Sequence, residues 1–142
     1  MSNRSKITTA FVDLFNNNLN GVDYDSNIYK KAINKLKFWD EINQYPHMSV
    51  VAGQEYREYL PANFKWGFLQ IKLYIYVKNE NAREQIEGFL EDIEALLDAN
   101  NDLEYYTNKT IEEISILSID TDEGLLHPVG VGELQIQIRY DL

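Results

Sequence analysis

The chain has 142 residues, 44% of them hydrophobic and 13% aromatic, with no cysteine and a formal net charge of −10. That is one domain's worth of chain with enough apolar material for a core, and it rules out disulfides, thiolate nucleophiles and Cys-ligated zinc. The acidic balance disfavours binding to a nucleic-acid backbone, and no apolar run approaches the ~18 residues of a membrane span.

The first residues lack the apolar core of a signal peptide, so the sequence predicts a soluble single domain, residues 1–142, made in the cytoplasm. Ile7, Ala10, Phe11, Leu14 and Phe15 recur at helical spacing and predict a helix over 5–18, capped by Ser5 and ended by the Asn16–Asn18 patch. Gly21 to Asn27 is polar and reads as a loop. Residues 28–40 form a basic arm, helical or extended: Tyr29, Ala32, Ile33 and Leu36 fit one helical face, with Lys30, Lys31, Lys35 and Lys37 around them.

Pro46 excludes helix at the residue before it, and His47 to Ala52 reads as a strand. Gly53 suggests a turn, with Gln54 to Leu60 pairing back as a hairpin. Pro61-Ala62-Asn63 is another turn. Phe68 to Val77 alternates over ten residues, with Leu69, Ile71, Leu73, Ile75 and Val77 on one face and Phe68, Gln70, Lys72, Tyr74 and Tyr76 on the other. Period two of that length means a sheet with one buried and one wetter face.

Asn81 and Glu84 resemble a helix-start capping pair. The helix that follows has an unbroken apolar stripe, Ile86, Phe89, Leu90, Ile93, Leu96 and Leu97, opposite Glu80, Glu84, Glu87, Glu91 and Glu94. Ile111 to Ile119 is apolar on both sides, which predicts a central strand. Thr121 to Gly132 is a glycine-rich loop, and Glu133 to Tyr140 alternates again as a final strand. The order of elements predicts an α+β fold: a mainly antiparallel or mixed sheet of four to five strands with two main helices packed on one face.

Charge is unevenly distributed. Met1 to Asp40 carries six Lys/Arg and four Asp/Glu, whereas Glu80 to Glu123 carries two and fourteen. The acidic half is either a solvated face or a surface complementary to the basic head across a subunit boundary.

Residues able to do chemistry are scarce. His47 and His127 stand apart from any second ligand at metal spacing, so no metal and no cofactor is expected. Asp120 to Gly124 resembles part of a calcium loop but lacks the distal bidentate Glu, and reads better as a polar turn. Glu112 and Glu113 are neighbours in an extended segment and point to opposite faces, as do Glu55 and Glu58. There is no phosphate loop and no nucleophile elbow. Basic residues near Tyr29, Phe38 and Trp39 faintly suggest a nucleic-acid arm, which the net charge opposes. These absences predict a protein that is not an enzyme and works through its surface.

Three stretches carry a family resemblance: FWDEINQYPHMSV (Phe38 to Val50), WGFLQIKLYIYVKNENAREQIEGFLEDIEALLD (Trp66 to Asp98) and IDTDEGLLHPVGVGELQIQIRYDL (Ile119 to Leu142). Their pattern is an aromatic-Pro step into a strand, then an alternating strand feeding an amphipathic helix. A Thr-Asp-Glu-Gly loop with a Gly-x-Gly-Glu step before the last strand completes it. Together they resemble the tail terminator proteins of long-tailed bacteriophages. The resemblance implies a homo-hexameric ring in the virion tail, at its head-proximal end. Such a ring caps the tail tube, stops its polymerisation and offers a surface to a head-completion or neck protein while viral DNA passes through the lumen without specific binding. Under that reading Lys30, Lys31, Lys35, Phe64, Lys65, Trp66, Asp122 and Glu123 are candidate interface residues. Glu80, Glu84, Glu87, Glu91 and Glu94 form a candidate lumen-facing or neighbour-facing stripe. The alternatives are a head-to-tail connector of related fold, a small acidic enzyme, which needs a pocket of convergent polar groups, and an acidic inhibitor that mimics nucleic acid.

Overall fold

Alternation along Lys65–Lys78 (β3) removes Leu69, Ile71, Leu73, Ile75 and Val77 completely from solvent, as the period of an extended chain requires. In the computed structural model, which describes residues 1–142, β3 is the middle strand of a five-stranded sheet. The other strands are Ala32–Ile33 (β1), His47–Tyr59 (β2), Glu113–Thr121 (β6) and Val129–Asp141 (β7). Their order is β1-β2-β3-β7-β6, and only the short β1–β2 pairing is parallel. The fold is α+β with a mostly antiparallel sheet.

Two helices cover one face. Asn3–Asn18 (α1) buries Ile7, Thr8, Phe11, Leu14 and Phe15 over β1 and β2. Ala82–Asp98 (α2) buries its whole apolar stripe over β7 and β3. The close approach of α2 is permitted by Gly130, where a Cβ would lie 2.9 Å from Ile86. A small hairpin, Glu104–Tyr106 (β4) and Lys109–Thr110 (β5), turns through Asn108 at φ 60°. It places Tyr105 edge-on to Tyr140, with ring centroids 6.2 Å apart. The core is the layer between helices and sheet.

Four local expectations are corrected. The first helix begins at Asn3, and its cap is Ser2, whose Oγ accepts from the Ser5 N–H at 3.1 Å. Gly53 does not reverse the chain: His47 to Tyr59 is one strand, with a bulge between Ala52 and Glu55. A bulge needs the same backbone permissiveness as a turn but keeps the strand's direction. The second helix starts at Ala82 without a side-chain bond from Asn81; instead the Asn81 N–H donates to Asn79 Oδ1 at 2.6 Å. The strand from Glu113 is an edge strand, not a central one, and leaves Leu117 and Ile119 exposed. Of the two paths open to the basic arm, helical or extended, the chain takes the extended one.

Candidate functional site

The arm is extended because its anchors are fixed one by one. Ile28 and Ala32 are buried, and the Asn16 side chain both donates to Ala32 O (3.1 Å) and accepts from Ala32 N–H (2.9 Å). The Met48 N–H reaches Lys31 O, which pairs β1 with β2. Between these anchors Tyr29 and Lys30 are both left-handed, at φ 50° and 58°. That conformation costs a residue with a side chain about 1–2 kcal/mol. It leaves Tyr29, Lys30 and Lys35 exposed, with Lys31 and Lys37 half-buried. Lys30, Lys31 and Lys37 line a cleft of about 400 Å³ with Ile33, Ile42, Asn43, Gln44 and His47, and no carboxylate lines it.

His47 closes the base of this cleft. It is buried, its Nε2 lies 3.1 Å from Ser49 Oγ, and its ring stands 6.0 Å from that of Tyr76. Burial, then the charges of Lys37 and Lys31, push its pKa below the ordinary value. The Tyr76 hydroxyl donates to Lys37 O at 2.8 Å, and burial pushes its pKa up to about 12. Residues 37–39 are thereby strapped across the outer face of the sheet. A second, mostly apolar groove of about 240 Å³ runs between Phe38 and Trp39 on one side and residues 120–126 on the other.

On the helix side, Glu80, Glu84, Glu87, Glu91 and Glu94 are all exposed. The chain's ion pairs are Arg57–Glu55, Lys72–Glu133 and Arg139–Glu113, so none of these five acids and none of Lys30, Lys31, Lys35 and Lys37 has a partner of opposite charge. Asp92, on the flank of the same helix, is occupied internally: its Oδ2 accepts from Ser26 N–H (3.0 Å) and Ser26 Oγ–H (2.5 Å).

The third surface is the far end of the β2–β3 hairpin. Ala62 and Asn63 turn the chain at φ 65° and 64°, and the Leu60 N–H closes the turn on Phe64 O at 2.8 Å. Phe64 and Trp66 do not close the core. Phe64 is 59% exposed, and Trp66 lies half-buried on the outer sheet face under the Arg139 guanidinium, 5.0 Å from its ring centroid. Tyr56 stacks on Phe68 at 5.0 Å, and Lys65 Nζ lies 5.4 Å from the Tyr59 ring. Apolar and cationic groups thus meet on both faces of the hairpin end, Trp66, Phe68, Tyr56 and Arg139 on the outer one and Tyr59 and Lys65 on the other, a composition suited to a protein partner.

Asp122 and Glu123 part ways. Asp122 is half-buried and organises its own loop, accepting from Leu126 N–H and Val131 N–H, both at 3.1 Å. Glu123, left-handed at φ 56°, points outward. Nowhere do three or more His, Asp or Glu converge as a metal site would require, and no helix is long and apolar enough to cross a membrane.

One residue that supports these surfaces was hidden from sequence reasoning. The bulge after Ala52 shifts the alternation, so Glu55 pairs with Leu69 and turns toward the core side, its side chain only 4% exposed. It accepts from the Tyr140 hydroxyl at 2.6 Å and pairs with Arg57 at 3.1 Å. Burial, then this hydrogen bond, raises the Tyr140 pKa far above the ordinary phenol value. The Tyr140 ring in turn lies over Gly67, where a Cβ would come within 2.6 Å of it. The network braces the outer half of the hairpin where the helices no longer cover it.

Comparison with known proteins gives these surfaces a context. The family model described as Bacteriophage Tail Tube Terminator Protein matches residues 1–142. The tail tube terminator protein p142 of Escherichia phage T5 is 31% identical over 152 residues, covering 99% of this chain and 94% of that protein.

Proposed function

The chain belongs to the bacteriophage tail tube terminator family, a phage structural protein and virion tail component, and on that premise we propose that six copies close into a ring that caps the finished tail tube. The ring ends polymerisation by occupying the surface on which the next tube subunit would add, and it presents its opposite side to a head-completion or neck protein. The family match over the whole chain carries this reading. The architecture supports it: the subunit's chemistry is spread over exposed aromatic and charged patches, as a protein built to bind other proteins requires.

The hairpin tip, with Phe64, Lys65 and Trp66, is the surface we assign to tube docking, with Glu123 on the opposite loop toward the neck. Exposed aromatic groups stabilise little until a partner covers them. With −10 on each subunit, the ring carries a strongly negative total, and such a potential repels DNA from the lumen wall so that the genome passes without sticking. No catalytic step is part of this role.

Negative-stain microscopy of the purified protein, mixed with polymerised tail-tube protein from the same phage, tests the proposal. Six-fold rings sitting on tube ends, with tube growth arrested, are the expected result. Tubes that keep growing with bare ends would refute it.

A further inference from the structure

We propose that the basic cleft formed by Lys30, Lys31 and Lys37 receives the acidic face of α2 from a second copy of this chain. The inference rests on the ring reading above and specifies the contact that would build the ring.

Four observations carry it. The lysines of the arm are the largest basic group in the chain and the glutamates of α2 the largest acidic one, and neither finds a partner of opposite charge within it. The inner wall of the cleft, at His47, lies on the side of the sheet away from α2, although Tyr29 beside its rim shares a pocket with Gln85 and Glu91 of α2. His47, at the base of the cleft, pairs in register with Tyr76 on the outer face, next to the buried core-facing Met48 and Ile75. The helix α2 packs against the other face. No ion pair joins the two groups within one chain, and a contact that pairs the cleft of one copy with the helix of the next runs head to tail. Such a contact is heterologous, and it repeats into a ring when the rotation closes.

The third observation is backbone geometry. Two consecutive left-handed residues, Tyr29 and Lys30, are held by the Asn27 side chain, whose Oδ1 accepts from the Tyr29 N–H at 2.8 Å. This unfavourable turn brings Lys30 to the mouth of the cleft, and strain of this kind persists where the surroundings fix it. The fourth is reach. Glu84, Glu87, Glu91 and Glu94 recur about once per turn along roughly 15 Å of helix, so one straight edge can feed several carboxylates into the cleft. Lysines, as flexible point charges, tolerate that approach without the fixed geometry an arginine fork demands. His47, held neutral by burial and by Lys31 and Lys37, leaves the lysines as the cleft's cations. DNA backbone is the competing anion, and the −10 charge of the whole subunit opposes it.

The test uses two charge-reversed chains: Lys30→Glu with Lys37→Glu, and Glu87→Lys with Glu91→Lys. Lys30, Glu87 and Glu91 are exposed and Lys37 is half-buried, and circular dichroism with thermal melting checks that each variant folds. Ring and cap formation are scored by microscopy and sedimentation. Each variant alone should assemble at least about tenfold more weakly, because like charges then face each other. An equimolar mixture should recover assembly, since alternating subunits restore every contact in a ring with an even number of members. The absence of native cysteine adds a second readout: Lys30→Cys mixed with Glu87→Cys should give an oxidised heterodimer, and neither should dimerise alone. Rings that form in both reversed variants, with no crosslink in the mixture, would overturn the cleft assignment and leave the ring reading standing. A wild-type chain that forms neither rings nor caps would instead remove the ring reading itself. Salt-sensitive binding of duplex DNA, lost in the lysine-reversed chain while assembly is unchanged, would overturn the proposal in favour of a nucleic-acid site.

Discussion

The β2–β3 hairpin has two ends built from the same two strands under opposite conditions. At the inner end, His47–Val50 against Leu73–Tyr76, helices cover one face and the strap at residues 37–39 covers the other. His47, Met48, Ser49, Val50, Leu73, Ile75 and Tyr76 are all buried there. Beyond the bulge, Tyr56–Tyr59 against Lys65–Phe68, the helices have ended and Tyr56, Tyr59 and Phe64 stand in solvent. The inner end is stabilised by burial. The outer end relies on strand pairing and the Glu55–Tyr140–Arg57 brace, so its aromatic residues contribute little to the fold and are available for recognition.

Breaking the inner end should therefore cost most. Leu73→Ala deletes a fully buried side chain and should lower unfolding free energy by about 2–5 kcal/mol, read by chemical denaturation. Gly67→Ala attacks the boundary between the two ends. The new methyl group meets the Tyr140 ring, and overpacking should cost about 1–3 kcal/mol. Tyr140→Phe removes only the hydroxyl that satisfies Glu55, a loss of about 1 kcal/mol or more, and should raise proteolytic cleavage at the hairpin tip first.

The inner end also carries two titrating groups, paired across the strands, whose pH responses are opposite. The folded-state pKa of His47 is depressed, so its contribution is complete above the unfolded value near 6.5 and is lost as pH falls through the lower folded value. His47→Gln should flatten that part of the stability profile. Tyr76 is the opposite case: with a folded pKa of about 12 against an ordinary 10.0, its contribution holds below pH 10.0 and disappears as pH rises through about 12. Tyr76→Phe should remove that alkaline step. The smallest stability effect belongs to the tip, where Phe64→Ser should change unfolding free energy by no more than about 0.5 kcal/mol while impairing capping of tail tubes.

The sequence disclosed the inner end far better than the outer one. The strict alternation of Leu69 to Val77 and the apolar stripe from Ile86 to Leu97 each report a single burial direction, and both elements formed where the pattern placed them. Gly53 was ambiguous because turn and bulge draw on the same conformational freedom. Choosing the turn hid the register shift that sends Glu55 toward the core. Ile111 to Ile119 looked central because it is apolar on both sides. In the fold it is an edge strand with Leu117 and Ile119 uncovered. The arm at 28–40 had helical spacing, yet Asn16 and the β2 edge drew it out into an extended path. Tertiary contacts decided that conformation, and no local pattern encodes them. The candidate surfaces were legible as composition, but the placing of the cleft's inner wall, at His47, on the side of the sheet away from the acidic helix became visible only with topology.

The most direct test of the central claim, that the uncovered half of the hairpin is a recognition surface, is hydrogen exchange measured by mass spectrometry on the free protein and on tube-capping protein. The account predicts slowed exchange across residues 54–68 on capping, with residues 70–77 protected equally in both states. Caps that form while exchange at 54–68 stays unchanged would contradict it.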